Sequence, residues 1–161
     1  MSTTRVALIP LTREAVLARV AAMAPEARAE VSADWLARVH AAPAVDPWVF
    51  GFVVVDRPRG CPVGQVGFHA PPADGMVEIA YGIDAAWQGQ GDATEAVAAV
   101  LAFCFADPRV HVVRAHTRPA ASASTRVLTT CGFHLVGDVI APADGLVWRW
   151  EHARPITESH P

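Results

Sequence analysis

Gln88-Gly89-Gln90-Gly91-Asp92-Ala93 is the stretch of this 161-residue sequence that decides its fold. Glycine adopts positive φ at no steric cost and lets the backbone approach a ligand closely. The N–H groups that open a helix have no intrahelical acceptor and lie at the positive end of its dipole, so a helix beginning near Gly91 can bind an anion such as a pyrophosphate. A tight connection without a ligand is the alternative, because a lone G-x-G has low specificity.

The segments on both sides of this loop predict a strand, a helix and a second strand. In residues 77–83, apolar residues alternate with small ones and Glu78, which is the period of a strand with two unlike faces. Residues 111–117 have the composition of another strand, so residues 77–117 predict a right-handed parallel crossover. Ligands bind near the carboxyl ends of such strands. Between the strands, a helical stripe is expected from Ala93, Ala96, Val97, Val100, Leu101 and Cys104.

The rest of the chain completes a mixed α/β domain with a mostly antiparallel sheet. The apolar run 48–55 predicts a central strand, and the prolines Pro25, Pro43 and Pro47 separate the elements before it. Residues 1–151 are expected to form one domain and residues 152–161 a flexible tail. The other expected elements are strands at 5–9, 63–69, 133–139 and 146–151 and helices at 12–22, 27–40 and 121–130.

Composition excludes several chemistries. All 13 basic residues are arginine, and the chain has no lysine and no asparagine. Without lysine there is no Schiff base to pyridoxal phosphate and no lysine-containing P-loop, and without asparagine there is no N-glycosylation. The net charge of -3 and scattered arginines argue against nucleic acid as a partner. An amine-bearing acceptor, small or peptidic, is more compatible with this charge.

The cysteines and histidines predict neither a disulfide framework nor a metal site. Cys61, Cys104 and Cys131 are odd in number and widely spaced, so they are expected to be reduced thiols. His111 and His116 lie five apart in an expected strand and therefore face opposite sides. No apolar run reaches the ~20 residues of a membrane span, and the N terminus lacks a signal-peptide pattern, so we expect a cytoplasmic protein without a membrane partner.

Two ordered motifs resemble the GNAT N-acetyltransferases. The first is Glu78-Ile79-Ala80-Tyr81-Gly82-Ile83 followed by Trp87-Gln88-Gly89-Gln90-Gly91-Asp92-Ala93-Thr94-Glu95-Ala96, which contains the Q-x-x-G-x-A signature. The second is Ser124-Thr125-Arg126-Val127-Leu128-Thr129-Thr130-Cys131-Gly132-Phe133, which is similar to the S-x-R-V-L-x-x-x-G-F of the branch that acetylates ribosomal-protein N termini. The resemblance covers residues 5 to 151 and is sharpest from 77 to 135.

The resemblance implies an acetyl-CoA site without a metal. The pyrophosphate of acetyl-CoA would rest on the backbone of residues 89–94. A homodimer is one assembly that is compatible with this interpretation. The implied cofactor-binding residues are Ile83, Gln88, Gly89, Gln90, Gly91, Asp92, Ala93 and Thr94.

Glu78 and Ser124 are the implied catalytic residues. Acetyl transfer by attack of a neutral amine on a thioester requires a route for the amine proton and an acid for the leaving thiolate. Glu78 is the candidate base, directly or through water, and the alternative is a solvated or arginine-paired strand carboxylate. Ser124 is the candidate acid or hydrogen-bond donor, and the alternative is a hydroxyl that satisfies the backbone in the first turn of a helix.

Two positions depart from the family pattern. Ala121 replaces an asparagine that in many relatives helps to hold the pantetheine arm, and Leu128 replaces the tyrosine that many of them use as general acid. Tyr81, on the face shared with Val77, is expected to be a core residue. Trp35 lies where relatives shape the acceptor groove, and a core role is the alternative.

These observations predict an enzyme that transfers acetyl from acetyl-CoA to a primary amine, with a peptide or protein α-amine as acceptor. The first alternative is a small-molecule amine such as a polyamine, an amino acid or an antibiotic. The second is a non-catalytic acyl-CoA sensor that keeps the loop but has lost turnover, and the third is a structural α/β module with an empty loop.

Overall fold

The computed structural model describes residues 5–142 and 144–155. This part of the chain contains seven strands and six α-helices, with a 3-10 turn at Ala85–Trp87. The strands are β1 (Val6–Pro10), β2 (Phe52–Asp56), β3 (Cys61–Phe68), β4 (Met76–Ile83), β5 (Val112–Thr117), β6 (His134–Ala141) and β7 (Gly145–Ala153). The helices are α1 (Arg13–Ala21), α2 (Pro25–Ala29), α3 (Ala33–Ala41), α4 (Pro47–Phe50), α5 (Asp92–Ala106) and α6 (Ala123–Thr130).

The strands form one sheet in the order β1-β2-β3-β4-β5-β7-β6. Every neighbouring pair is antiparallel except β4 and β5, which are parallel and joined through α5. The parallel crossover expected over residues 77–117 is therefore confirmed, as is the mixed α/β fold with a mostly antiparallel sheet.

The two parallel strands separate after a short paired stretch. Only Met76–Glu78 of β4 pairs with Val112–Arg114 of β5. Beyond Glu78, β4 pairs with β3 on one side up to Ile83, while β5 continues to Thr117 paired with β7. Among the described strands, the edge of β4 that faces β5 therefore has no partner from Ile79 to Ile83. The gap opens at the carboxyl ends of both strands, where the sequence predicts the ligand.

The core lies between the sheet and α5. Val97, Val100 and Cys104 of α5 are fully buried against sheet residues such as Val77 and Val113. Each buried valine contributes on the order of 1.5–3 kcal/mol relative to an exposed one. Burial raises the pKa of the Cys104 thiol to about 12, which makes it unreactive. The predicted stripe is thus buried except for Ala93, which is half-buried at the start of the helix.

The expected strand over residues 48–55 is partly wrong. Asp46 caps a short helix by accepting a hydrogen bond from the Trp48 N–H at 3.1 Å, and Pro47 occupies its first turn. Gly51 then turns the chain with φ +72°, and a Cβ there would lie 2.6 Å from the carbonyl oxygen of Val66. The strand therefore begins only at Phe52, because capping and a glycine turn override the β-rich composition.

Two other expectations need correction. The helix expected at 27–40 is interrupted, because Ser32 caps a new helix by accepting from the Trp35 N–H at 3.3 Å. Strand β7 continues past the expected domain limit of 151 to Ala153, and the Arg154 guanidinium donates to the carbonyls of Phe105, Asp107 and Val110. The start of the expected tail is therefore packed, and residues 156–161 of that tail lie outside the described part.

Candidate active site

The glycine loop connects β4 to α5 and faces open space. The Gln88 side-chain amide donates to the carbonyl of Ile83 at 2.9 Å, which ties the loop back to the end of β4. Gly89 and Gly91 have φ of +80° and +86°, and a Cβ at either position would meet no atom within 4 Å. The glycines are therefore required by the backbone conformation, while the space above them remains open to a ligand.

Helix α5 begins without a side-chain cap. Gly91 is the N-cap residue and supplies no side-chain hydrogen bond to the first turn. The N–H groups of a first turn have no intrahelical acceptor, and they carry the positive end of the dipole of a 15-residue helix. The structure thus presents several backbone donors at one end of the loop.

Arg5 fixes the glycine loop through hydrogen bonds to Gln90. Its Nη groups donate to the Gln90 carbonyl oxygen at 2.8 Å and to Gln90 Oε1 at 2.9 Å. Its Nε forms ion pairs with Asp92 Oδ1 at 2.9 Å and with Asp56 Oδ2 at 3.7 Å. The contact with Asp92 does not have the geometry of a hydrogen bond. Burial raises the pKa of the Asp92 carboxyl, and the charge of Arg5 opposes that rise. Arg5 is the cation that compensates this buried carboxylate.

A cavity of about 640 Å³, the loop cavity, lies between the glycine loop and α6. Its lining includes every predicted cofactor-binding residue except Gln90, whose carbonyl and side chain Arg5 engages. The Asp92 carboxylate is buried beside Arg5, so only the backbone of Asp92 is positioned to reach a ligand. The lining residues are Tyr81, Gly82, Ile83, Trp87, Gln88, Gly89, Gly91, Asp92, Ala93, Thr94, Ser122, Ala123, Ser124, Arg126, Val127 and Thr130.

A second cavity of about 890 Å³, the Glu78 cavity, is lined by residues of both β4 and β5. It extends from Glu78 to the hairpin that joins β6 and β7. Its lining residues are His69, Glu78, Ile79, Ala80, Tyr81, Ala115, His116, Thr117, Arg118, Ala120, Ser122, Ser124, Val139, Ile140, Ala141, Pro142, Asp144 and Arg149.

Glu78 is held by two histidines. Its Oε2 lies 2.8 Å from Nδ1 of His116 and 3.0 Å from Nε2 of His69. Arg149 Nε donates to Nε2 of His116 at 3.1 Å, so that nitrogen is unprotonated and Nδ1 carries the hydrogen that is donated to Glu78. Arg114, the register partner of Glu78, pairs instead with Glu151 at 2.7 Å. The arginine-paired alternative for Glu78 is therefore not what the structure contains.

The two cavities meet at Tyr81, Ser122 and Ser124, which line both of them. The Tyr81 hydroxyl donates to the carbonyl oxygen of Ser124 at 3.3 Å. Burial raises the pKa of Tyr81 despite that hydrogen bond, so the hydroxyl stays protonated at neutral pH. Tyr81 packs against the core, as expected, but its hydroxyl reaches the junction of the cavities.

The hydroxyl that satisfies the start of α6 belongs to Ser122. Ser122 Oγ accepts from the Thr125 N–H at 3.3 Å, and Thr125 Oγ1 accepts from the Ser122 N–H at 2.9 Å, which is a capping box. Ser124 is exposed, and its hydroxyl has no hydrogen-bond partner among the described residues. Ser124 therefore projects at the junction without the capping role that was its alternative.

Several residues of the site were not predicted from the sequence. His116 and Arg149 come from β5 and β7, and Arg5 comes from β1, so no local motif connects them to the loop. Arg126 is the one basic residue in the described lining of the loop cavity, and its place in the second motif is the signal that marks it. Leu128 is fully buried in the core and does not reach either cavity.

The described residues contain neither a candidate metal site nor a candidate membrane-spanning helix. No group of three or more histidine, cysteine or acidic side chains there has the arrangement of a metal site. None of the described helices combines the length and the apolar character needed to cross a bilayer. Cys61, Cys104 and Cys131 are all free thiols, as expected.

Residues 5–134 match the acetyltransferase (GNAT) domain family, and the chain belongs to that family. Its members are acyl-CoA-dependent N-acetyltransferases, so the class of enzyme expected from the sequence is confirmed at the level of the family. No curated protein matches the sequence.

Solved structures share the fold. A ribosomal-protein-S5-alanine acetyltransferase from Vibrio fischeri is 23% identical with a TM-score of 0.57, and the match covers 65% of this chain and 61% of that protein. RimL, a ribosomal alpha-N-protein acetyltransferase solved with coenzyme A, is 16% identical over 94% of this chain and 95% of its own, with a TM-score of 0.69. Aminoglycoside acetyltransferase AAC(6')-Ib, also solved with coenzyme A, is 20% identical with a TM-score of 0.66, and the match covers 92% of this chain and 95% of that protein.

The residues of the loop cavity fit coenzyme A. The glycines with positive φ leave open space beside the loop backbone, the uncapped start of α5 offers backbone N–H donors, and Arg126 adds a positive charge. A diphosphate needs this combination of donors and charge.

Proposed function

We propose that this protein transfers an acetyl group from acetyl-CoA to a primary amine, and that the acceptor is the α-amine of a peptide or protein. The observation that carries the proposal is the junction of the two cavities. A ligand in the loop cavity and an acceptor in the Glu78 cavity would meet beside Tyr81 and Ser124. The proposal therefore assigns the loop cavity to acetyl-CoA and the Glu78 cavity to the acceptor.

Acetyl-CoA would be held by the loop residues and by Arg126. The backbone N–H groups of residues 89–94 face the diphosphate in this proposal, while Gln88 and Arg5 keep the loop in shape. Ile83, at the end of the unpaired edge of β4, lies beside the same cavity. When bound, acetyl-CoA supplies a thioester carbonyl activated toward an amine.

Glu78 takes up the amine proton. His116 donates from Nδ1 to Glu78 Oε2 at 2.8 Å, which fixes the carboxylate and leaves Oε1 available to the amine or to an intervening water. Arg149 fixes the tautomer of His116 from the other side. A base held in this way contributes about 10²–10⁴ in rate.

Tyr81 and Ser124 act at the opposite end of the reaction. The raised pKa of Tyr81 keeps its hydroxyl protonated, so it can donate a proton to the leaving thiolate. Ser124 offers a second hydroxyl at the same junction, as a hydrogen-bond donor. The tyrosine on β4 would thereby perform the task that relatives give to the position of Leu128.

A peptide acceptor is supported by the sequence motif of residues 124–133 and by the two ribosomal-protein acetyltransferases among the similar structures. A small-molecule amine is the second candidate, because the aminoglycoside acetyltransferase covers 92% of this chain. The single domain and a cytoplasmic location are parts of the same proposal. The three free thiols are typical of a reducing compartment.

An acceptor panel at several pH values tests the proposal. An α-amine loses its proton near about pH 8 and a lysine ε-amine near about pH 10.4, and only the neutral amine attacks. With a peptide acceptor, kcat/KM should therefore rise to about pH 8 and then flatten. Activity on polyamines or aminoglycosides with none on free-α-amine peptides would overturn the acceptor. Binding of acetyl-CoA without transfer to any amine would favour the sensor.

A further inference from the structure

The arginines of the Glu78 cavity differ from those elsewhere in the sheet. Arg114 is paired with Glu151 at 2.7 Å, and Arg154 donates to three backbone carbonyls. Arg149 and Arg118, by contrast, have no carboxylate within 4 Å among the described residues. In the described part of the protein, these two guanidinium groups therefore have no direct carboxylate partner.

Arg149 is the better placed of the two cations. It lies on β7 opposite His116 and is half-buried, whereas Arg118 is exposed at the end of β5. The Nε of Arg149 donates to His116, and its Nη groups have no hydrogen-bond partner among the described residues. Those Nη donors are free to bind a planar anion, for which a guanidinium is suited.

The two acids of the cavity, Glu78 and Asp144, equal the two arginines in number, but neither forms an ion pair with a guanidinium in the described part of the protein. Glu78 faces two imidazoles, and Asp144 is exposed on the hairpin between β6 and β7. A cavity built for a polycation such as a polyamine would instead present several unpaired carboxylates.

We propose that the acceptor carries a carboxylate close to its amine and that Arg149 binds it. This rests on the proposed function, since it describes the acceptor of that reaction. Glu78 and Arg149 are separated by one imidazole ring and hydrogen bonds of 2.8 and 3.1 Å. Successive Cα atoms lie about 3.8 Å apart, so an α-amine at Glu78 places an acidic side chain of the first or second residue near Arg149. The acceptor class is thus a peptide with an acidic N-terminal segment.

Matched peptides test the assignment. The C-terminally amidated peptides Ser-Asp-Ala-NH2 and Ser-Asn-Ala-NH2 differ in one carboxylate, and we expect the wild-type protein to prefer the aspartate peptide in kcat/KM about tenfold to a hundredfold, mainly through KM. Arg149→Gln should lower kcat on both peptides, because the contact with His116 changes, and it should also abolish the preference, so that the aspartate peptide loses about tenfold to a hundredfold more in kcat/KM than the asparagine peptide. Arg149→Lys should keep part of it. Arg38→Gln on the exposed side of α3 is the matched charge control and should keep all of it.

Other outcomes overturn the proposal. An equal loss on both peptides in Arg149→Gln would mean that Arg149 only positions His116. Equal activity of the wild-type protein on both peptides would mean that the carboxylate is not recognised. Calorimetric binding of the same peptides with coenzyme A present provides a readout without turnover. A preference seen there in a protein that acetylates no amine would refute the proposed reaction and keep the anion site, whereas no preference there would refute the anion site.

Discussion

The loop cavity and the Glu78 cavity are built in opposite ways. The loop cavity takes most of its lining from one continuous segment, residues 81–94, and uses backbone donors and two glycines. The Glu78 cavity brings together Glu78 of β4, His116 of β5 and Arg149 of β7, and these side chains position one another. A ligand common to a family can be held by local backbone geometry, whereas acceptor specificity depends on side chains that only the sheet brings together.

Removing the base should produce the largest effect and should be confined to the Glu78 cavity. Glu78→Gln keeps the shape and the contact with His116 but loses the proton acceptor. We expect kcat to fall about 10²–10⁴-fold with the Kd of acetyl-CoA unchanged, measured by steady-state kinetics and calorimetry. His69→Gln, at an exposed histidine that touches the same carboxylate, is the control and should lose less than about tenfold. A near wild-type kcat in Glu78→Gln would remove the assigned base.

Blocking the glycine loop should act on the loop cavity. In Gly91→Val a β-branched side chain occupies φ +86° in the space reserved for the ligand, so acetyl-CoA binding should be lost. At 100 times its Kd, acetyl-CoA should stabilise the wild-type protein by about 2.7 kcal/mol, seen as a rise in Tm. Gly60→Val is the matched control, since it has φ +65°, no neighbour within 4 Å and a position outside the cavity. A normal Tm shift in Gly91→Val would place the ligand elsewhere.

Tyr81→Phe probes the junction that joins the two regions. We expect kcat to fall about tenfold to a hundredfold, because Ser124 remains as a second donor. Since the pKa of Tyr81 is raised, its hydroxyl stays protonated above the usual value near about 10, and wild-type activity should not decline below that pH. A pH–rate profile that falls between about pH 8 and 9 in the wild-type protein but not in Tyr81→Phe would contradict this assignment.

Arg5→Met should have the smallest effect, and it tests the contacts that Arg5 makes with Gln90 and Asp92 of the glycine loop. Arg5 is partly exposed, so losing its contacts with Asp92 and Gln90 should cost about 1–2 kcal/mol in the free energy of unfolding and a few-fold in the Kd of acetyl-CoA.

The pH dependence of this loss follows from Asp92. The pKa of Asp92 is higher in the folded protein than in the unfolded chain. Asp92 therefore contributes to stability below its unfolded pKa, where it is protonated in both states, and this contribution is lost as pH rises through the folded pKa. The deficit of Arg5→Met should therefore be largest near neutral pH and shrink toward about pH 4, measured by urea unfolding. Asp92→Asn in the same background should restore part of the stability. An equal deficit at both pH values would show that Arg5 acts by packing alone.

The elements could be predicted where the signal is local. The period of residues 77–83 and the helical stripe that ends at Cys104 give β4 and α5 within a few residues of their observed limits. The expected strand at 48–55 fails where Asp46 caps a short helix and Gly51 turns the chain. Apolar composition alone does not separate a buried strand from a short capped helix, because both bury the same side chains.

The sequence by itself determined the crossover, the glycine loop and the strand position of Glu78, because these depend on periodicity, on positive φ and on contiguous residues. Only the tertiary structure decided which side chains control Glu78 and the loop. His116 is 38 residues from Glu78, Arg149 is 33 residues from His116, and Arg5 is 85 residues from Gln90. Contacts over such separations are set by strand order and register, since a shift of one residue would turn each side chain to the other face of the sheet.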